Sequence, residues 1–260
     1  IMKVEYVYFW ADTFFAWSNK EFDEFCEMYK DFKMPFWCQT RVETVTHERI
    51  KKLKEIGLHM LAFGMEHGNE KFRADVIDRK YSNKSAIDAL QIPHQYDVPF
   101  TVNNIIGFPG ETRELAFDTI EINRQWKADQ MSCSILQPYF GTPLRRLAVQ
   151  NKYLDPSSIC PANSDDTMLH LPEFSPDQMK GLRRTFAMYV KFPKNRWKDI
   201  EKAEKLTDEG NKVWESLRQE YMSNFLNDSD TSIQEQGNFK PEKPIENVSV
   251  GMGPSTSGSI

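Results

Sequence analysis

Asp12, Arg41, Glu66, Asn104 and Gln137 each close a short β-rich run, and they are separated by 29, 25, 38 and 33 residues. Those spacings are the length of one strand-plus-helix unit, so the polar groups recur at corresponding places. Asp12, Glu66 and His67 have the types to hold a divalent metal for hydrolysis. A second strand-end histidine is absent, and His47, His59, His94 and His170 fall at a helix start, a strand start or in loops, where a structural role is the ordinary one. No serine sits in a Gly-x-Ser-x-Gly elbow, and neither Cys38 nor Cys133 has a recognisable base beside it. The stretch "NNIIGFPGET", Asn103 to Thr112, runs an apolar strand into a glycine-rich turn and opens a helix that Thr112 can cap. Such a turn is expected to leave free N–H groups and room for a ligand to approach the backbone. It lacks the glycine spacing and lysine of a Rossmann or Walker phosphate loop.

The elements that position these groups alternate. Five β-rich runs, "VEYVYFW", "PFWCQTR", "LHMLAFGM", "FTVNNII" and "MSCSILQ", give way to amphipathic helical stretches up to about residue 150. Ser18 and Glu21 predict a capping box before Phe22, Phe25, Cys26 and Tyr29. Thr46 opens and Gly57 closes the next helix over Ile50 and Leu53, and Pro93 should end or kink a later one. Alternation of this kind predicts a parallel sheet with helices outside it, its carboxyl ends collecting on one face. Five units do not close an eight-stranded barrel. The expectation is an α/β fold, an open or partial barrel over residues 1–150 whose first unit is missing. After the connector "DPSSICPANSDDTMLHLPEFSP", Ser175, Pro176 and Gln178 announce a helix with Met179, Leu182 and Phe186 on one face. A helical extension over 151–226, interrupted near Gly210, and a disordered tail over 227–260 complete the expected organisation.

With 260 residues, 40% of them hydrophobic, one sizeable core is possible. A net charge of -5 gives no footprint for nucleic acid, and "KFPKNRWK", Lys191 to Lys198, reads as a solvated helix face. No membrane span is expected: the apolar start is too short and is broken by Lys3 and Glu5. The internal-looking start suggests a sequence beginning inside a longer protein. Cys26, Cys38, Cys133 and Cys160 have no short mutual spacing, so no zinc or iron–sulfur motif can be written from them, and they read as buried thiols in a reducing, cytoplasmic compartment.

Taken together, "FWADTF", "CQTRVETVT", "LAFGMEHGNEKFR", "NNIIGFPGET" and "ILQPYFGTPL", in this order, resemble the core of radical S-adenosylmethionine enzymes, in particular the branch often carrying a cobalamin-binding domain upstream. The resemblance covers about Val4 to Gln150. It implies a partial (β/α)6 barrel, S-adenosylmethionine, a [4Fe-4S] cluster on a Cys-x-x-x-Cys-x-x-Cys motif, a 5′-deoxyadenosyl radical, a small-molecule substrate, an electron donor such as ferredoxin or flavodoxin, and cobalamin on a domain outside this chain. It places Asp12 at the methionine amino group, Arg41 at the methionine carboxylate and Glu66 at the ribose hydroxyls. Asn103, Asn104, Ile106 and Gly107 would line the adenine with backbone groups, the turn through Gly110 would leave room for it, and Gln137, Pro138 and Tyr139 would close the pocket. The structural alternatives are Asp12 capping Phe15, Arg41 bridging Glu43 or Asp12, and Glu66 paired with Arg73 or Arg79. The cluster motif itself is not in this chain, so the barrel is either a portion lacking its first unit or a degenerate, noncatalytic binding module. Where relatives commonly have Ser after the Glu66 position, this chain has His67.

Overall fold

A computed structural model of the chain describes residues 4–160 and 166–225. Five parallel strands form one sheet in sequential order: β1 (Val7–Phe9), β2 (Phe36–Arg41), β3 (Leu58–Glu66), β4 (Phe100–Ile106) and β5 (Gln130–Ile135). The crossovers are α1 (Asn19–Tyr29), α2 (His47–Ile56), the pair α3 (Glu70–Ile77) and α4 (Asn83–His94), and α5 (Arg113–Asn123). The helix α6 (Pro143–Gln150) follows β5, and α7 (Pro176–Lys191), α8 (Trp197–Glu204) and α9 (Asp208–Phe225) follow the connector. This is the expected α/β architecture, an open arc of a barrel. The tail expected to be disordered lies outside the described residues.

The punctuation works as the side-chain chemistry dictates. Ser18 and Glu21 form a reciprocal capping box at α1, and Ser175 and Gln178 form one at α7. Thr46 and Thr112 accept the N–H groups of Arg49 and Leu115. Pro93 terminates α4 rather than kinking it: one more residue follows, and the Pro93 carbonyl accepts the N–H groups of Tyr96 and Val98. The interruption expected near Gly210 falls earlier, at Lys205–Thr207, where Lys205 turns extended and Thr207 Oγ1 accepts the Gly210 N–H to start α9.

The two faces of the sheet differ. Phe36 and Cys38, Leu61, Phe63 and Met65, and Phe100 and Val102 are buried on the helix side, where Phe9, Phe14, Phe25 and Phe36 pack ring against ring. The register pairs Trp37 with Met60, Gln39 with Ala62, Arg41 with Gly64, Gly64 with Asn103 and Asn103 with Ser132. This second row belongs to the opposite face, which carries no helix among the described residues, and there Tyr8 and Ser132 are exposed. On the outer side, α7 packs on β5 and α5, so the helical region after the connector joins the same compact unit, which runs as far as Arg218.

Candidate functional site

The carboxyl ends of β3 and β4 are bound together by a buried polar network. β3 ends in an irregularity between Gly64 and Glu66, and Glu66 takes a left-handed φ of 64°, a conformation with a real energetic penalty for a non-glycine residue. The next residue, His67, is fully buried. Its Nδ1 accepts the Asn69 N–H at 3.1 Å, which leaves the ring proton on Nε2, 3.1 Å from Glu111 Oε1. The other Glu111 oxygen accepts the N–H groups of Gly107 at 2.5 Å and Phe108 at 2.9 Å. A carboxylate taking three donors inside the protein is strongly held.

This overturns one expectation. The Gly-Phe-Pro-Gly turn does not offer its first N–H groups to a ligand, because Glu111 in the same segment occupies them. Gly107 and Gly110 do take the positive φ values, 84° and 85°, that favour glycine. The space beside them differs: a Cβ on Gly107 would lie 2.8 Å from Met179 Sδ, whereas nothing lies within 4 Å of one on Gly110. Room for a ligand is therefore at Gly110, not at Gly107. Lining by backbone groups is also limited, since β4 is an interior strand bonded on both sides.

Arg73 completes this corner. It is wholly buried and donates to the His67 carbonyl at 2.7 Å, Asn83 Oδ1 at 2.9 Å and the Tyr81 carbonyl at 2.6 Å. Glu66 is paired instead with Arg79, 3.1 Å from Glu66 Oε1. Burial raises the Glu66 carboxyl above its ordinary range, and the charges of Arg79 and Arg41 oppose that.

The remaining positions divide. Asp12 is exposed in the turn after β1; it does not cap Phe15, whose N–H goes to Thr40 Oγ1. Arg41 lies on the helix-free row with its Nε 2.8 Å from Glu43. Asn103, also on that row, accepts the Ser132 hydroxyl at 2.8 Å. Asn104 and Ile106 do not converge with these side chains, because the strand's alternation turns them to the helix side. Asn104 is buried there and exchanges hydrogen bonds with Asn123 of α5. Beyond β5, Gln137 is buried and donates to the Asp166 carbonyl at 2.8 Å, while its Oε1 has no partner among the described residues. The Pro138 carbonyl accepts from buried Arg145 at 2.9 Å, and Tyr139 is exposed.

The thiols do not assemble a centre. Cys38 points into the core, burial pushes the Cys26 thiol up to about 11, and the Cys38 and Cys133 thiols are raised as well. No group of three potential ligands could hold a metal among the described residues. These residues therefore do not fit an iron–sulfur cluster. Asp12 and Gly110 are exposed, and Glu66 and Asn103 half-buried, at or just beyond the carboxyl ends of β1, β3 and β4. The residues unforeseen in function are Glu111, Arg73 and Arg145. Only the acid placed directly after the Gly-Phe-Pro-Gly turn is a local signal for any of them.

Residues 1–121 match the radical SAM superfamily. An uncharacterized methyltransferase of Pyrococcus horikoshii is 30% identical over 162 residues, which is 62% of this chain and 35% of the relative, so the match spans about a third of that protein's length. Among solved structures, coproporphyrinogen III oxidase (HemN) of Escherichia coli, a radical SAM enzyme, superposes with a TM-score of 0.53 at 14% identity, over 72% of this chain and 40% of that one. The cobalamin-dependent S-adenosylmethionine radical enzyme OxsB superposes with a TM-score of 0.54 at 9% identity, over 90% and 42%. These two likenesses concern the fold. The matched segment runs through the Gly-Phe-Pro-Gly turn, so residues 1–121 of this chain are similar to the radical SAM superfamily, and the five parallel strands in sequential order are the fold it shares with these structures.

Proposed function

We propose that this chain binds S-adenosylmethionine across the carboxyl ends of its sheet and forms the catalytic-barrel portion of a radical SAM enzyme, either a cobalamin-dependent methyltransferase or a ring-forming enzyme. The observation that supports it most is Glu66, an acid held in a left-handed conformation at the end of a parallel strand within the matched domain. Once bound, S-adenosylmethionine would supply a methyl group or, on accepting one electron from a reduced iron–sulfur cluster outside this chain and releasing methionine, a 5′-deoxyadenosyl radical. The work of these residues is binding and orientation: Glu66 accepts hydrogen bonds from the ribose hydroxyls, Asp12 from the methionine amino group, and Arg41 pairs with the methionine carboxylate after yielding part of its contact with Glu43. Asn103 and the open side of Gly110 border the adenine, and Gln137, Pro138 and Tyr139 close the far side. The cluster ligands, a cobalamin domain, the electron donor and the substrate's partners belong to parts outside this chain, and no step is assigned to them.

Equilibrium binding of S-adenosylmethionine tests this reading. A charge-assisted hydrogen bond is worth about 1.5 to 3 kcal/mol, so Glu66→Gln should weaken binding roughly tenfold to a hundredfold. Glu48→Gln, on the exposed side of α2, should leave it unchanged. No binding by the native chain, or equal losses in both variants, would leave instead the noncatalytic binding module.

A further inference from the structure

We propose that Arg79 is a positioning residue of the same site: it acts through Glu66, fixing that carboxylate over Gly64 on the helix-free face and serving as its counterion. The role rests on the ligand proposed above, but its geometry stands in the chain alone. Asp78 ends α3 with a left-handed φ of 56°, and the N–H groups of Asp78 and Arg79 both return to the Arg73 carbonyl. That reversal sends Arg79 back to the sheet. There its guanidinium spans the irregularity in β3, with Nη2 3.1 Å from Glu66 Oε1 and Nη1 donating to the Gly64 carbonyl at 3.1 Å. One planar fork thus ties the strained residue to the last regular part of its own strand.

Gly64 shows where the carboxylate lies. A Cβ at this position would stand 2.7 Å from Glu66 Oε1 and 3.7 Å from Arg79 Nη1. The acid therefore covers the Gly64 Cα, in the row that contains Arg41 and Asn103. The charged and titratable groups facing it are Arg79 from the segment after α3, Arg41 from the end of β2, and Tyr81, with Glu43 behind Arg41. Arg41 shares its charge with Glu43, so Arg79 is the main counterion, and it opposes a burial that favours the neutral acid. A protonated carboxyl turns one oxygen into a donor and, being uncharged, accepts more weakly from hydroxyl donors.

The test uses the full chain and three readouts. In the ligand-free protein, carbon-13 NMR of the Glu66 carboxyl should show its titration midpoint rising by about one pH unit or more in Arg79→Gln. Lys80→Gln, which removes an equal charge next door from an exposed pair with Asp78, should not move it. Thermal melts carry the sign. A carboxyl whose folded pKa lies above its unfolded value favours folding most below the unfolded pKa, and that contribution is lost as pH rises through the folded pKa. The deficit of Arg79→Gln should therefore widen from pH 5 to pH 8. Binding of S-adenosylmethionine should weaken in Arg79→Gln and recover as pH rises past that variant's Glu66 midpoint, with Arg79→Lys closer to native. Gly64→Ala leaves every charge in place and displaces the carboxylate, so it should lose about as much at all pH values. An unshifted Glu66 midpoint, or a pH-independent loss in Arg79→Gln while native binding is intact, overturns the positioning role alone. Absence of binding by the native chain overturns the ligand reading and the role with it.

Discussion

The corner where β3 meets β4 and the end where β1 meets β2 carry similar residue types and treat them in opposite ways. At the first, Arg73, His67 and Glu111 are buried, and their polar groups other than Arg73 Nε bond to one another or to the surrounding chain. At the second, Asp12 is exposed and Arg41 holds one local partner at the surface. A polar group with every bond made inside the protein supports the fold. One left in water at a strand end is available to a ligand. Glu66 sits between the two regimes, half-buried and paired yet turned to the bare face. The difference separates the machinery that shapes the glycine-rich turn from the machinery that meets a ligand.

The contrast breaks first at Arg73. Arg73→Met leaves three acceptors without their donor and should lower the unfolding free energy by about 3 to 4 kcal/mol. Urea denaturation measures it, and a loss below about 1 kcal/mol would mean that the corner does not hold this region. A smaller effect is expected from Glu111→Gln. The amide has one oxygen for two backbone donors and turns its NH2 toward either those donors or His67, so about 1.5 to 3 kcal/mol should be lost. The Gly107 and Phe108 amide protons should exchange faster with solvent in that variant, and unchanged protection would refute the clamp. Least of all in stability, Asp12→Ala should leave the thermal midpoint nearly in place. The same change should weaken S-adenosylmethionine binding about tenfold. A large drop in the midpoint at Asp12 would erase the distinction between the two ends.

Much of the scaffold is legible in local chemistry. The capping boxes at Ser18 and Ser175, the caps at Thr46 and Thr112, and the five β-rich runs act within a few residues, so the sequence carries them directly. Strand ends shift by up to a few residues: the run from Val4 to Trp10 contracts to Val7–Phe9, and the one from Met131 to Gln137 becomes Gln130–Ile135. Termination depends on pairing with a neighbour rather than on propensity.

The candidate site is less legible, for a reason of distance. Strand alternation separates Asn103 from Asn104 by one residue and places them on opposite faces, and only the register with β3 and β5 decides which face lies bare. His67 and Glu111 are 44 residues apart and meet only when β4 lies beside β3. The sequence by itself determined the α/β order, the helix punctuation and the positions of polar groups at successive strand ends, because those follow from short-range sterics and hydrogen bonding. Tertiary structure alone decided that Glu111 fills the turn, that Met179 closes the space at Gly107 and that Arg79, not Arg73, meets Glu66, because each is a competition among distant groups for one buried donor, acceptor or volume.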